Sequence, residues 1–235
     1  MASRYADAPG EVPPEADGIV RAMPVILRIE RDPQPSRTAL LEAAAGAALA
    51  VCLDPRAGSG GEWDEPVRTW VDGRIRKIAR RARGAHWDAV QELPGVTVGE
   101  GPAQARALLP GPVDDVPKIV SRLQIGGTDL EPDAPGPPRA GRPVIVLNPY
   151  AEMSVGKAAA QVGHASMILA AVRGWTSAPD FAVRDTTRAE WEALLAKVGT
   201  STSTGAGTVV AVQDAGFTEV DPGTVTCIGL DASGS

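Results

Sequence analysis

The 235-residue chain predicts an α/β layer fold made of two similar units, each a small mixed β-sheet flanked by helices in a three-layer arrangement. Three observations carry that expectation. Residues 128–143, TDLEPDAPGPPRAGRP, hold five prolines and two glycines, which no regular element tolerates, so the chain divides there. Each half then opens alike: PVILRIERD from Pro24 and PVIVLNPYA from Pro143 are strands of buried character, each followed by an alanine-rich helix. Finally, the halves match each other. At an offset of 119, VILRI lies over VIVLN and residues 43–51 over 162–170; at an offset of 104, GAHWDAV from Gly84 lies over RAEWEAL from Arg188. Paired tryptophan-acid-alanine triplets in the same order point to an internal duplication.

Taken in order, residues 1–22 are polar, proline-containing and acidic, and are expected to form a disordered tail. A first domain follows over 23–127, a linker over 128–141 and a second domain over 142–235. In the first, the alanine-rich helix is followed by a basic stretch, 66–83, expected as an extra helix or as a helix plus a strand, with IARR as the strand candidate. A short helix carrying Trp87 comes next. The second domain is expected as strand 143–149, helix 154–173, strand 180–184, helix 187–198 and strands 207–213 and 223–230, the last two pairing through AGFTEVDPG.

Composition excludes several classes. The longest strongly apolar run, Ala43 to Leu53, is too short for a membrane span, and the opening residues lack the order of a secretion signal, so a cytoplasmic location is expected. Cys52 and Cys227 match no ligand spacing and are expected as buried, reduced thiols; neither metal nor organic cofactor is expected. A net charge of −6 argues against a protein that simply coats nucleic acid. Yet Arg68, Arg74, Arg76, Lys77, Arg80, Arg81 and Arg83 face only Asp72 in the same segment, a local excess able to bind phosphate.

Two stretches can carry chemistry. In MSVGKAAAQVGHAS, Ser154 suits an N-cap and Lys157 the third helical position, where backbone N–H groups favour an anion. Gln161 and His164 follow at steps of four and seven, on one stripe about 10 Å long, and the alanines around them allow close approach of another backbone or a ligand. The plainer alternatives are a solvated lysine and a histidine hydrogen-bonded within the core. Near the C-terminus, VVAVQDAGFTEVDPGTVTCIG delivers Asp214 to the end of a strand before a glycine turn, with Thr218 just after and Thr226 in the next strand; an ordinary turn and ordinary strand threonines are the alternative.

Together these two segments resemble the type 2 peptidyl-tRNA hydrolase family, whose hallmarks are a Gly-Lys-x-Ala-Ala-Gln-x-x-His-Ala helix start and an Asp-Ala-Gly-x-Thr-x-x-x-Pro-Gly-x-x-Thr segment. The resemblance spans Arg142 to about Leu230. It implies a catalytic lysine at Lys157, a catalytic carboxylate at Asp214, functional threonines at Thr218 and Thr226, and a motif histidine at His164. The chain departs from the pattern at Val155 and Phe217, where members often carry cations. In the gapless match Thr38 stands at the lysine position and Ala45 at the histidine position, so the first half resembles a degenerate copy, ending in ALLPGPVDDVPKIVSRLQIGG much as family domains end.

Since members form homodimers, the resemblance implies an intramolecular pseudo-dimer, with further dimerisation open. Arg74, Arg76, Lys77, Arg80, Arg81 and Arg83 would then offer the tRNA-binding surface. The implied function is hydrolysis of the ester of peptidyl-tRNA or N-acyl-aminoacyl-tRNA, without a cofactor. The alternatives are a non-catalytic tRNA-binding or interaction module derived from such a hydrolase, and a hydrolase of another acyl ester.

Overall fold

The structure, a computed structural model, describes residues 15, 17–198, 207–214 and 219–231. Most of the expected tail lies outside them; Arg21, within it, already belongs to a strand and pairs with Asp17 at 2.6 Å.

Two sheets share one plan. The first contains β1 (Arg21–Arg28), β2 (Arg76–Ala82), β3 (Gly95–Glu100) and β4 (Ala103–Leu108) in the order β2-β1-β4-β3, with the short β5 (Gly111–Pro112) beside β1. The second contains β6 (Val144–Leu147), β7 (Ala182–Arg184), β8 (Thr208–Gln213) and β9 (Val225–Asp231) in the order β7-β6-β9-β8. In each, the opening strand runs parallel to the second and antiparallel to the last in the core of the sheet. The helices are α1 (Arg37–Leu53), α2 (Asp64–Asp72), α3 (Ala85–Val90), α4 (Lys118–Ser121), α5 (Val155–Arg173) and α6 (Arg188–Leu195). The basic stretch is thus a helix followed by a strand.

Serine starts both long helices: the Ser36 hydroxyl accepts from the Ala39 N–H and the Ser154 hydroxyl from the Lys157 N–H. Gly174 in the left-handed region ends α5. The two helices lie against each other in the middle of the molecule. Their alanines and glycines permit this: a Cβ added at Gly163 would come within 3.1 Å of the Ala48 Cβ, and the Ser166 hydroxyl donates to the Ala45 carbonyl at 2.9 Å. One core joins the inner faces of both sheets (Val25, Leu27, Ile145, Leu147) to both helices (Leu40, Leu49, Val162, Leu169). On the outer faces, Trp87 of α3 covers Ile26 and Leu108, and Trp191 of α6 covers Val146 and Ile228.

The gapless offset of 119 does not survive in the structure. Val25 and Leu27 face the same core as Ile145 and Leu147, a separation of 120, whereas the N-caps Ser36 and Ser154 are 118 apart. An odd slip in a strand exchanges its two faces, so the strand cannot obey 119. In the helices, a separation of 118 turns the Ala48–Gly163 contact into Ala45–Ser166, which is the other observed contact. Lys157, Gln161 and His164 therefore stand over Ala39, Ala43 and Gly46, rather than over Thr38 and Ala45 at the lysine and histidine positions.

The hairpin of β3 and β4 was not among the expected elements. It closes through the two residues Gly101 and Pro102, where β8 and β9 are joined by 214–224. The linker is also bound to both long helices: the Asp133 carboxylate accepts from the Thr38 N–H (3.0 Å) and hydroxyl (2.6 Å), and the Thr128 hydroxyl accepts from the Gly156 N–H (3.0 Å).

Candidate active site

The site forms where the start of α5 meets the end of β8. Ser154 caps the helix and places Lys157 in its first turn, while β8 ends at Gln213 and hands over to Asp214. The backbone of Asp214 is held on both sides: its N–H donates to the Thr224 carbonyl at 2.9 Å and its carbonyl accepts from the Gly223 N–H at 2.8 Å. Gly223 has φ of 80°, a conformation that a side chain would strain. The carboxylate is thereby aimed at the helix. Its Oδ2 takes the Lys157 ammonium at 2.5 Å and the Gln161 Nε2–H at 2.7 Å.

Gln161 is in turn held by Thr226, whose hydroxyl donates to the Gln161 Oε1 at 2.7 Å. The four groups form one chain, Lys157–Asp214–Gln161–Thr226, with polarity fixed at each link. Thr226 and Gln161 are buried, and the side chains of Lys157 and Asp214 are only 8% and 9% exposed. At that exposure the ion pair and its hydrogen bonds act in a medium of low effective dielectric. A carboxylate able to orient water and an ammonium able to meet developing negative charge suit acyl transfer to water.

The expected anion site at the helix start is filled by the protein itself. The Glu219 carboxylate accepts from the Ser154 N–H (2.8 Å) and hydroxyl (2.9 Å), and Thr128 takes the Gly156 N–H. Lys157 is accordingly directed to Asp214.

His164 is not part of this chain. One turn beyond Gln161, its Nδ1 lies 3.1 Å from the Lys77 ammonium of β2, in the other half. Burial, then the charges of Lys77 and Lys157, hold the imidazole well below its usual range; burial pushes the Lys77 amine down to about 7. Thr218 and Phe217 lie outside the described residues. Of the remaining basic positions, Arg76 pairs with Glu15, Arg80 donates to the Leu123 carbonyl at 2.9 Å and Arg81 to the Gln124 Oε1 at 2.8 Å. Arg83 is exposed and Arg74 lies just before β2. Lys77 is directed to the helix of the other half. Among the described residues no group of three or more His, Cys, Asp or Glu can hold a metal ion, and no helix is long and apolar enough to cross a membrane.

The family model described as peptidyl-tRNA hydrolase PTH2 matches residues 142–233. A curated peptidyl-tRNA hydrolase of Metallosphaera sedula is 35% identical over an alignment of 100 residues, covering 37% of this chain and 82% of that protein. The chain belongs to the peptidyl-tRNA hydrolase PTH2 family. Its PTH2 region includes Lys157, Gln161, His164, Asp214 and Thr226, whereas Lys77 lies before it. Gln161 was visible in the sequence as part of the polar stripe, but its link between Asp214 and Thr226 depends on long-range packing. Lys77 carried no signal distinguishing it from its basic neighbours.

Proposed function

We propose that the protein hydrolyses the ester joining a peptide or N-acyl-amino acid to the 3′ ribose of tRNA, with water as acyl acceptor, releasing free tRNA and the peptide acid. The observation that carries this reading is the buried chain Lys157–Asp214–Gln161–Thr226, lying wholly within the family-matched region. Asp214 orients the attacking water, receives its proton and returns it to the leaving 3′ ribose oxygen as the tetrahedral intermediate collapses. Lys157 leaves the carboxylate far enough to stabilise the tetrahedral oxyanion. Gln161 holds Asp214 in place while it does so; Thr226, expected from the sequence to position water, is instead fully buried behind Gln161 and fixes that amide, which leaves water positioning to Thr218.

Duplication accounts for the rest of the chain. Residues 23–127 are read as a degenerate copy and 142–235 as the catalytic domain, packed as an intramolecular pseudo-dimer. The matching strand orders and the reciprocal Ala48–Gly163 and Ala45–Ser166 contacts support this. The two-residue β3–β4 turn leaves the first copy without a segment like 214–224, which explains its loss of chemistry. Arg74, Arg76, Arg80, Arg81 and Arg83 are assigned to the tRNA surface.

The test is release of N-acetyl-amino acid from N-acetyl-aminoacyl-tRNA by the purified chain. Lys157→Ala and Asp214→Asn should each lower kcat by about 10²–10³-fold. Substrate left intact by the unaltered protein, or full turnover by either variant, would overturn the reading. Salt-sensitive tRNA binding without cleavage would instead indicate the binding module.

A further inference from the structure

Lys77 occupies an unusual place. Its stem passes beneath the site helix, where a Cβ at Gly163 would come within 3.1 Å of its Cδ and 3.2 Å of its Cε. Its ammonium meets His164 Nδ1 at 3.1 Å and lies 5.4 Å from the Trp70 ring centroid. Among the described residues it has no ion-pair partner, and desolvating the half-buried, unpaired ammonium costs stability. Packing does not demand it. By the 104-residue separation of the tryptophan helices, Lys77 corresponds to Phe181, and by the 118-residue separation of the long helices His164 corresponds to Gly46. The same place in the other half is apolar.

We infer that Lys77, from outside the family-matched region, is a positioning residue for the site: it donates to His164 Nδ1 and holds the ring as the neutral Nε2–H tautomer. An ammonium has no lone pair, so facing it the ring nitrogen must accept. The other groups around the ring do not supply a competing proton. Lys157, on the same helix, adds a second positive charge, and the Cys52 and Cys227 thiols near Lys77 are pushed up to about 12 by burial. Without Lys77, His164 can become a cation one turn from Gln161, where it alters the field that Lys157 and Asp214 set. This inference rests on the proposed hydrolase reading for its effect on turnover, but not for its effect on the ring.

Nitrogen-15 NMR of the full chain decides it, because only His86 and His164 contribute imidazole signals and His86 is exposed. At pH 6 His164 should be neutral with Nδ1 unprotonated. An imidazolium or an Nδ1–H tautomer in the unaltered protein overturns the inference, whether or not any variant folds. Lys77→Met keeps a stem against Gly163 and should raise the His164 titration midpoint and mix its tautomers. It should also lower kcat at pH 6 about tenfold while KM changes by less than about twofold, with recovery by pH 8. Unchanged ring signals or unchanged kcat in Lys77→Met also overturn it. If the unaltered chain cleaves no acyl-tRNA, the hydrolase reading falls while the ring signals still decide the pairing.

Discussion

Gln161 shows how much of the site depends on a residue that touches no substrate in the proposed mechanism. Its amide donates to Asp214 and accepts from Thr226, so replacing it by leucine removes a donor from the carboxylate and leaves the Thr226 hydroxyl only the longer contact to the Val212 carbonyl at 3.3 Å. Gln161→Leu should lower kcat by about 10- to 100-fold in the acyl-tRNA assay, and Thr226→Val, which orphans the Gln161 oxygen, should cost about 1–3 kcal/mol in urea unfolding. Lys77 and His164 give a second prediction. Unfolded lysine titrates near 10.5 but folded Lys77 near 7, so above pH 7 the unfolded chain binds more protons and stability rises with pH. His164, depressed below 6.5, acts with the same sign at lower pH. Urea unfolding should show stability climbing from pH 7 to 8.5 by up to about 1.4 kcal/mol per pH unit, a slope missing in Lys77→Met. Lys157, Asp214 and Thr226 could be singled out because they fall on two motifs that resemble a known family; the Lys77–His164 meeting could not, because it depends on which face of β2 each basic residue takes.

At the scale of elements, the sequence order of strands and helices in the second half was legible to within a few residues, since buried strands and an alanine-rich helix leave clear periodic signals. The hairpin of β3 and β4 was missed: GVTVGE alternates weakly and its turn, Gly101-Pro102, is short. The equivalence of the two halves was also legible in outline but wrong in register. A gapless match averages a separation of 120 in the strand and 118 at the helix caps, and hides the face each residue presents. That face matters most where α1 meets α5. A Cβ at Gly163 would press on Ala48 and the Lys77 stem at 3.1 Å, a larger side chain more so, and Ala48 belongs to a helix packed on its other side against the first sheet. Gly163→Val should therefore destabilise the chain by about 1–3 kcal/mol through overpacking. By contrast, Val172→Ala at an exposed position should fall within about 0.5 kcal/mol. Equal unfolding midpoints for Gly163→Val and the unaltered protein would show that the helices separate readily.

At the scale of the molecule, the two halves are joined by more than a tether. Ser166 donates to Ala45, Arg184 pairs with Glu42 at 2.7 Å, Arg37 with Asp185 at 2.8 Å, and the linker caps one residue on each long helix through Asp133 and Thr128. The proline-rich composition of 128–143 suggested a spacer, because hydrogen bonds from isolated side chains leave no periodic trace. A consequence follows for residues 142–235 expressed alone. The face of α5 formed by Val162, Gly163, Ser166 and Leu169 is buried in the shared core, and removing α1 would open it to water. On the proposed pseudo-dimer reading the cheapest cover is a second α5, since the Ala48–Gly163 and Ala45–Ser166 contacts are reciprocal. In that dimer each His164 would meet the position of Phe181 instead of Lys77. Light scattering should find the full chain monomeric and the isolated half dimeric or aggregated, with the His164 tautomer no longer held. An isolated half that remained a stable monomer, with its urea midpoint unchanged, would mean that the first half contributes little to the folding of the second and that the two helices are neighbours without being partners.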